Sequence, residues 1–140
     1  MRFAWFAAAI AVGGCASEAA RLSPAPPLAD RIEPKDRLEA VAVGAPNPIL
    51  LSETQRKATA REAAMTRARH ELGSTLRAMI LQSGITLEHA VHLDPRLGDR
   101  LEQEVAQAQA TAEFTPDDGC VVRLLLSKRR LAEDLGVRFR

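Results

Sequence analysis

Residues Val105 to Phe114 read VAQAQATAEF, and two opposed structures compete for them. Alanine, glutamine and glutamate are good helix formers, which favours an all-helical protein. Yet Ala106, Ala108, Ala110, Ala112 and Phe114 alternate strictly with Val105, Gln107, Gln109, Thr111 and Glu113. A period of two is that of a strand, and small residues along one face suit a strand lying close under a helix. The next residues support that choice. Thr115-Pro116-Asp117-Asp118-Gly119 is turn chemistry, and Cys120 to Leu126 (CVVRLLL) is a strongly β-forming run. The spacing therefore predicts a β-hairpin, and with it an α+β fold.

Working outward, Ser127 is placed to cap a final helix through Leu135, stopped at Gly136. Upstream, Asp94-Pro95 has the form of a cap with proline at the first helical position, opening a helix through Leu97 and Leu101 to about Glu104. Thr86 to Leu93 is too short to assign. Before it, Ser52 to Gln55 fits a capping box, and Ala64, Ala68, Leu72, Leu76 and Ile80 recur at helical spacing as far as Gly84. Gly73 inside that helix costs about 1 kcal/mol relative to alanine, which would be offset by close approach of another element. The opposite face carries Arg56, Lys57, Arg61, Arg67, Arg69 and Arg77, and reads as solvated surface, with contact to anionic lipid as the functional alternative. Leu38 to Val43 reads as a short strand ending in the breakers Gly44 to Pro48. The expected fold is a small antiparallel sheet, including the hairpin, packed under a long helix and closed by a C-terminal helix over residues 38–140.

Ahead of that domain, residues 15–37 hold Pro24, Pro26, Pro27 and Pro34, as expected of a semi-extended tether. At the start, Arg2 precedes an apolar run from Phe3 to Val12. That run is half the roughly twenty residues needed to span a bilayer, and has the plan of a secretory signal peptide. It ends in Val12-Gly13-Gly14-Cys15, which resembles the lipobox of bacterial lipoprotein precursors. The resemblance implies cleavage after residue 14, diacylglyceryl transfer to the Cys15 thiolate and acylation of the new amino terminus. Two or three acyl chains make a stable anchor where one does not. Ala16 resembles the class exported to the outer membrane, so the expected location is that membrane, facing the periplasm.

Composition narrows what the domain can do. Losing Arg2 with the leader takes the 19 basic residues to 18, equal to the 18 acidic ones. A nucleic-acid binder would carry a basic surplus. Phe3, Trp5 and Phe6 also leave, so Phe114 and Phe139 are the remaining aromatics, too few for base-stacking platforms or aromatic cages. With Cys15 lipidated, Cys120 has no intrachain disulfide partner, and its apolar neighbours predict burial.

Candidate chemistry is sparse. His89 and His92 are spaced to share a helical face, with Glu88 and Asp94 nearby, but no third histidine completes a metal site, so both read as surface residues. No Gly-x-Ser-x-Gly elbow or phosphate loop is present, and Cys120 would need a distant base such as His70. Neither a cofactor, beyond the acyl chains, nor enzymatic activity is expected. Lys128-Arg129-Arg130 places positive charge in a first helical turn, against the helix dipole. A bound anion or acidic partner would relieve that conflict, the alternative being that all three point into water.

The order of elements, with Ala42-Val43-Gly44, Ala60-Arg61-Glu62-Ala63-Ala64, Ala68-Arg69-His70-Glu71-Leu72 and Asp118-Gly119, is similar to the twenty-kilodalton bacterial lipoprotein family. It also resembles the N-terminal domain of the flagellar assembly protein T. Phe114 stands where that family's strand often has tryptophan. The resemblance implies an envelope assembly role and transfers no catalytic residue. The expected function is thus a non-enzymatic lipoprotein presenting its domain to an envelope protein partner. The competing expectation is a structural lipoprotein that contacts lipid or glycan. Oligomeric state is left open.

Overall fold

In the computed structural model, which describes residues 32–50 and 52–140, the alternating stretch is a strand from Gln109 onward. Strand β1 (Arg37–Gly44), strand β2 (Gln109–Phe114) and strand β3 (Cys120–Ser127) form an antiparallel sheet in the order β1-β3-β2. Four helices accompany it: α1 (Glu53–Ala78), α2 (Leu87–Leu93), α3 (Pro95–Ala106) and α4 (Lys128–Leu135). The fold is α+β, with helix packed against sheet.

Val105 and Ala106, expected in the strand, belong to the end of α3. Leu97, Leu101 and Val105 stand four residues apart and all are buried, so the helical period claims Val105 before the alternation begins. The small-residue face of β2 does not lie under a helix either. Ala110, Ala112 and Phe114 are exposed, because β2 is an edge strand at the margin of the helix layer, where Lys57 of α1 stands with its Nζ 5.9 Å from the Phe114 ring centroid. Helix α1 covers β1 and β3 instead. Its stripe of Ala60, Ala64 and Ala68 is buried in one cluster with Ala40, Ala42 and Val122.

The close approach occurs at Gly44, not Gly73. A Cβ on Gly44 would stand 1.9 Å from the Ala60 carbonyl oxygen and 2.6 Å from the Ala64 nitrogen, whereas a Cβ on Gly73 would meet nothing within 4 Å. Three small residues on the helix and a glycine on the strand bring the two backbones together. Further along α1, Leu72 and Leu76 continue into a leucine core with Leu87, Leu101 and Leu131 from the other three helices.

Two helix boundaries differ from expectation. Ser52 is the N-cap of α1, but its side chain makes no capping hydrogen bond. The Arg56 guanidinium fastens this end, donating to the Leu50 carbonyl at 3.2 Å and to Asp118 Oδ2 at 2.8 Å. At the other end α1 stops at Ala78, six residues before Gly84, and the chain turns extended. Ile80 pairs with Thr86 and Leu81 with Phe139, while Gln82 N–H donates to Arg138 and Arg140 N–H to Ile80. Backbone partners supplied by the C-terminal residues leave no mark on local periodicity. Gly84, at φ +86°, serves the turn between Leu81 and Ile85.

The packed body also begins earlier than residue 38. Ile32 is buried, Pro34–Asp36 forms a 3-10 turn, and β1 starts at Arg37. No helix among the described residues is long and apolar enough to cross a membrane.

Candidate functional site

The lipobox residues Val12, Gly13, Gly14 and Cys15 lie outside the described residues, as does the tether up to residue 31. The basic cluster Lys128, Arg129 and Arg130 forms the first turn of α4 as expected. Its conflict with the helix dipole is relieved within the chain. Asp36 accepts the Arg129 backbone N–H at 2.6 Å through Oδ1 and the Ser127 hydroxyl at 2.5 Å through Oδ2. Ser127 Oγ in turn accepts the Arg130 N–H at 3.2 Å. A carboxylate and a hydroxyl thus take up two of the N-terminal donors that every helix leaves unpaired.

The Asp36 carboxylate, from the segment assigned to the tether, thus stands at the helix start where a bound anion was the functional alternative. The side chains are partly committed too. Lys128 donates to the Arg140 carbonyl and sits 5.7 Å from the Phe139 ring centroid, and Arg130 reaches Asp134 at 3.4 Å. The hollow of about 620 Å³ beside them mixes Lys35, Arg129 and Arg130 with Glu33, Asp36 and Glu133. Its charge is balanced rather than basic.

His89 and His92 lie exposed on α2, whose N-cap Thr86 accepts the His89 backbone N–H at 3.2 Å. Among the described residues no three His, Cys, Asp or Glu side chains are gathered to hold a metal ion. Cys120 is buried as expected, opposite Gly44 in the sheet register. His70 is exposed, ten residues along α1 from Ala60, which packs at that glycine, or about 15 Å of helix. The fold does not bring the thiol and this imidazole together.

What sequence reasoning missed is a cleft of about 600 Å³ between α1 and α3. Leu101 and Val105 line it from α3, and Gly73, Arg69 and Arg77 from α1. Arg77 bridges to Glu102 at 3.2 Å across the two helices. The volume is that of a small-molecule site. Catalytic pairing is another matter: His70 and Ser74 share the wall at a spacing of four, yet no hydrogen bond joins them. The signal that marks the cleft is Gly73, where an added Cβ would meet nothing within 4 Å, so that the wall is recessed at this one position.

Displaced ionisations occur away from the cleft. The Thr115 hydroxyl, donating to Asp117, holds that carboxyl below the usual range, and the Glu53 carboxylate accepting from Lys57 raises the ammonium above its ordinary value. Both belong to exposed structural contacts, at the hairpin turn and at the start of α1.

Two surfaces are left open among the described residues. The sheet face away from α1 exposes Val41 and Val43 on β1, beside an Arg123–Glu39 ion pair at 2.6 Å. The outer edge of β2 has no neighbour among the described residues. Site and fold together define a small helix-backed antiparallel sheet with one exposed face and one exposed edge among the described residues. Comparison with protein-family models, with curated proteins and with solved structures found no match.

Proposed function

We propose that the protein is a non-enzymatic outer-membrane lipoprotein that presents its α+β domain to protein partners in assembly of the cell envelope or a surface machine. The observation that carries this reading is Val12-Gly13-Gly14-Cys15 at the end of a ten-residue apolar run. A thiolate is the strong nucleophile that lipid alkylation requires.

The described surface supports contact with protein rather than with anionic lipid. Several α1 arginines expected to face solvent are engaged: Arg56 with Asp118, Arg67 with the Val43 carbonyl and Arg77 with Glu102. The exposed valines on the uncovered sheet face are instead of the kind that a protein partner covers. From Cys15 to Ile32 the chain can span at most about 60 Å. The anchor thereby confines the domain to a layer near the membrane and raises its effective concentration for membrane-bound partners.

Crosslinking in intact cells, co-purification and mass spectrometry, comparing wild type with Cys15→Ala, test this. Components of one envelope assembly are expected with wild type, and weakened recovery with the variant. Recovery of the lipidated chain with no specific partner would overturn it in favour of a lipid- or glycan-contacting structural role.

A further inference from the structure

We propose that β2 is a self-association edge, through which a second copy of this chain continues the three-stranded sheet into one of six strands. An edge strand offers a row of unpaired backbone donors and acceptors, and soluble proteins guard such rows with lysine, proline, bulges or cover. The opposite edge, β1, has Arg37 and Glu39 along it, and its Val43 carbonyl is taken by Arg67 at 3.0 Å. Strand β2 reads QATAEF, with one charge, no proline and no bulge in its pairing with β3. All its residues after Gln109 are exposed, Phe114 by about half.

The second copy is selected by how the strand matches itself. Ala110, Ala112 and Phe114 stand opposite Leu124, Val122 and Cys120, so they lie on the α1 side of the sheet. In antiparallel pairing, residues directly opposite share a face. Keeping this apolar row together across a two-fold axis requires even residues to face even ones, which puts both α1 helices on the same side.

Centred on Ala112, that register sets Phe114 against Ala110 of the second copy, a large side chain over a small one, and Glu113 against Thr111. Centred on Glu113 it would oppose two like charges, which destabilises a cross-strand pair. Centred on Thr111 it would leave Phe114 outside the paired strands. Of these three registers, one combines size complementarity with an unopposed charge. This inference does not depend on the lipid anchor.

The test is disulfide trapping in the full chain carrying Cys15→Ser, purified in detergent, where buried Cys120 is the one other thiol. Directly opposed residues have Cα atoms about 4.5–5.5 Å apart, within the range a disulfide spans. Ala112→Cys in this background is expected to give a covalent dimer on mild oxidation, at least tenfold more than the parent or Asn47→Cys in an exposed loop. Ala110→Lys, which leaves the β2–β3 ladder intact, is expected to shift the untrapped Cys15→Ser chain from dimer to monomer in sedimentation. A chain that is monomeric throughout, as when another segment or a different protein fills the edge, would overturn the proposal. So would a dimer that Ala112→Cys traps no better than Asn47→Cys.

Discussion

At the scale of single residues, two glycines carry opposite consequences. Gly44 is required because its missing Cβ is where the α1 backbone sits, 1.9 Å away at the Ala60 oxygen. Gly73 is not required for packing, since its missing Cβ faces open cleft. Gly44→Ala is expected to destabilise the chain by about 3 kcal/mol, the upper part of the usual overpacking range, because the obstacle is backbone and cannot rotate away. Gly73→Ala is expected to stabilise by about 1 kcal/mol through helix propensity. Urea unfolding followed by circular dichroism reads both, and equal effects of like sign would contradict this packing. Sequence alone assigned the close approach to Gly73, because a glycine inside a helix is conspicuous. The better signal was Ala60, Ala64 and Ala68 at intervals of four, a smooth stripe that a glycine-ended strand can meet.

At the scale of elements, the hairpin and α4 were legible because their information is local: a period of two, turn residues, and a serine cap. The end of α1 and the start of the packed body were not, because long-range backbone pairing defines the first and a side chain 93 residues from its partner defines the second. That side chain is Asp36. It joins the entry of the chain to the N-terminus of α4, taking the Arg129 N–H and the Ser127 hydroxyl. Asp36→Ala is expected to cost about 1 kcal/mol, the usual value of a lost cap. Asp36→Asn, which keeps an accepting oxygen, is expected to recover part of it. Urea unfolding of the two variants checks this ordering, and an unaffected Asp36→Ala chain would show that the contact does not fasten α4. The same contact explains why three cations can open α4, since a carboxylate already offsets the dipole there.

At the scale of the whole molecule, the α+β class followed from the stretch between Val105 and Phe114 once its alternation was preferred over its propensity. The misplaced expectation was that this strand lies beneath a helix. Its exposure results from topology: β3, not β2, occupies the centre of the sheet, and periodicity does not reveal strand order. The candidate surfaces were hidden for the same reason, since an open sheet face, a free edge and an interhelical cleft each depend on which elements become neighbours. The proposed lipidation motif, by contrast, is wholly local and needs no fold to be read. The function proposed above makes the domain a contact module, positioned by a lipid on Cys15. The most direct test is the intact mass and N-terminal peptide of the protein isolated from bacterial membranes. The account predicts a chain beginning at Cys15 and carrying a diacylglyceryl group and an N-linked acyl chain, lost with Cys15→Ala. A mature chain that begins elsewhere with an unmodified Cys15 thiol would contradict it.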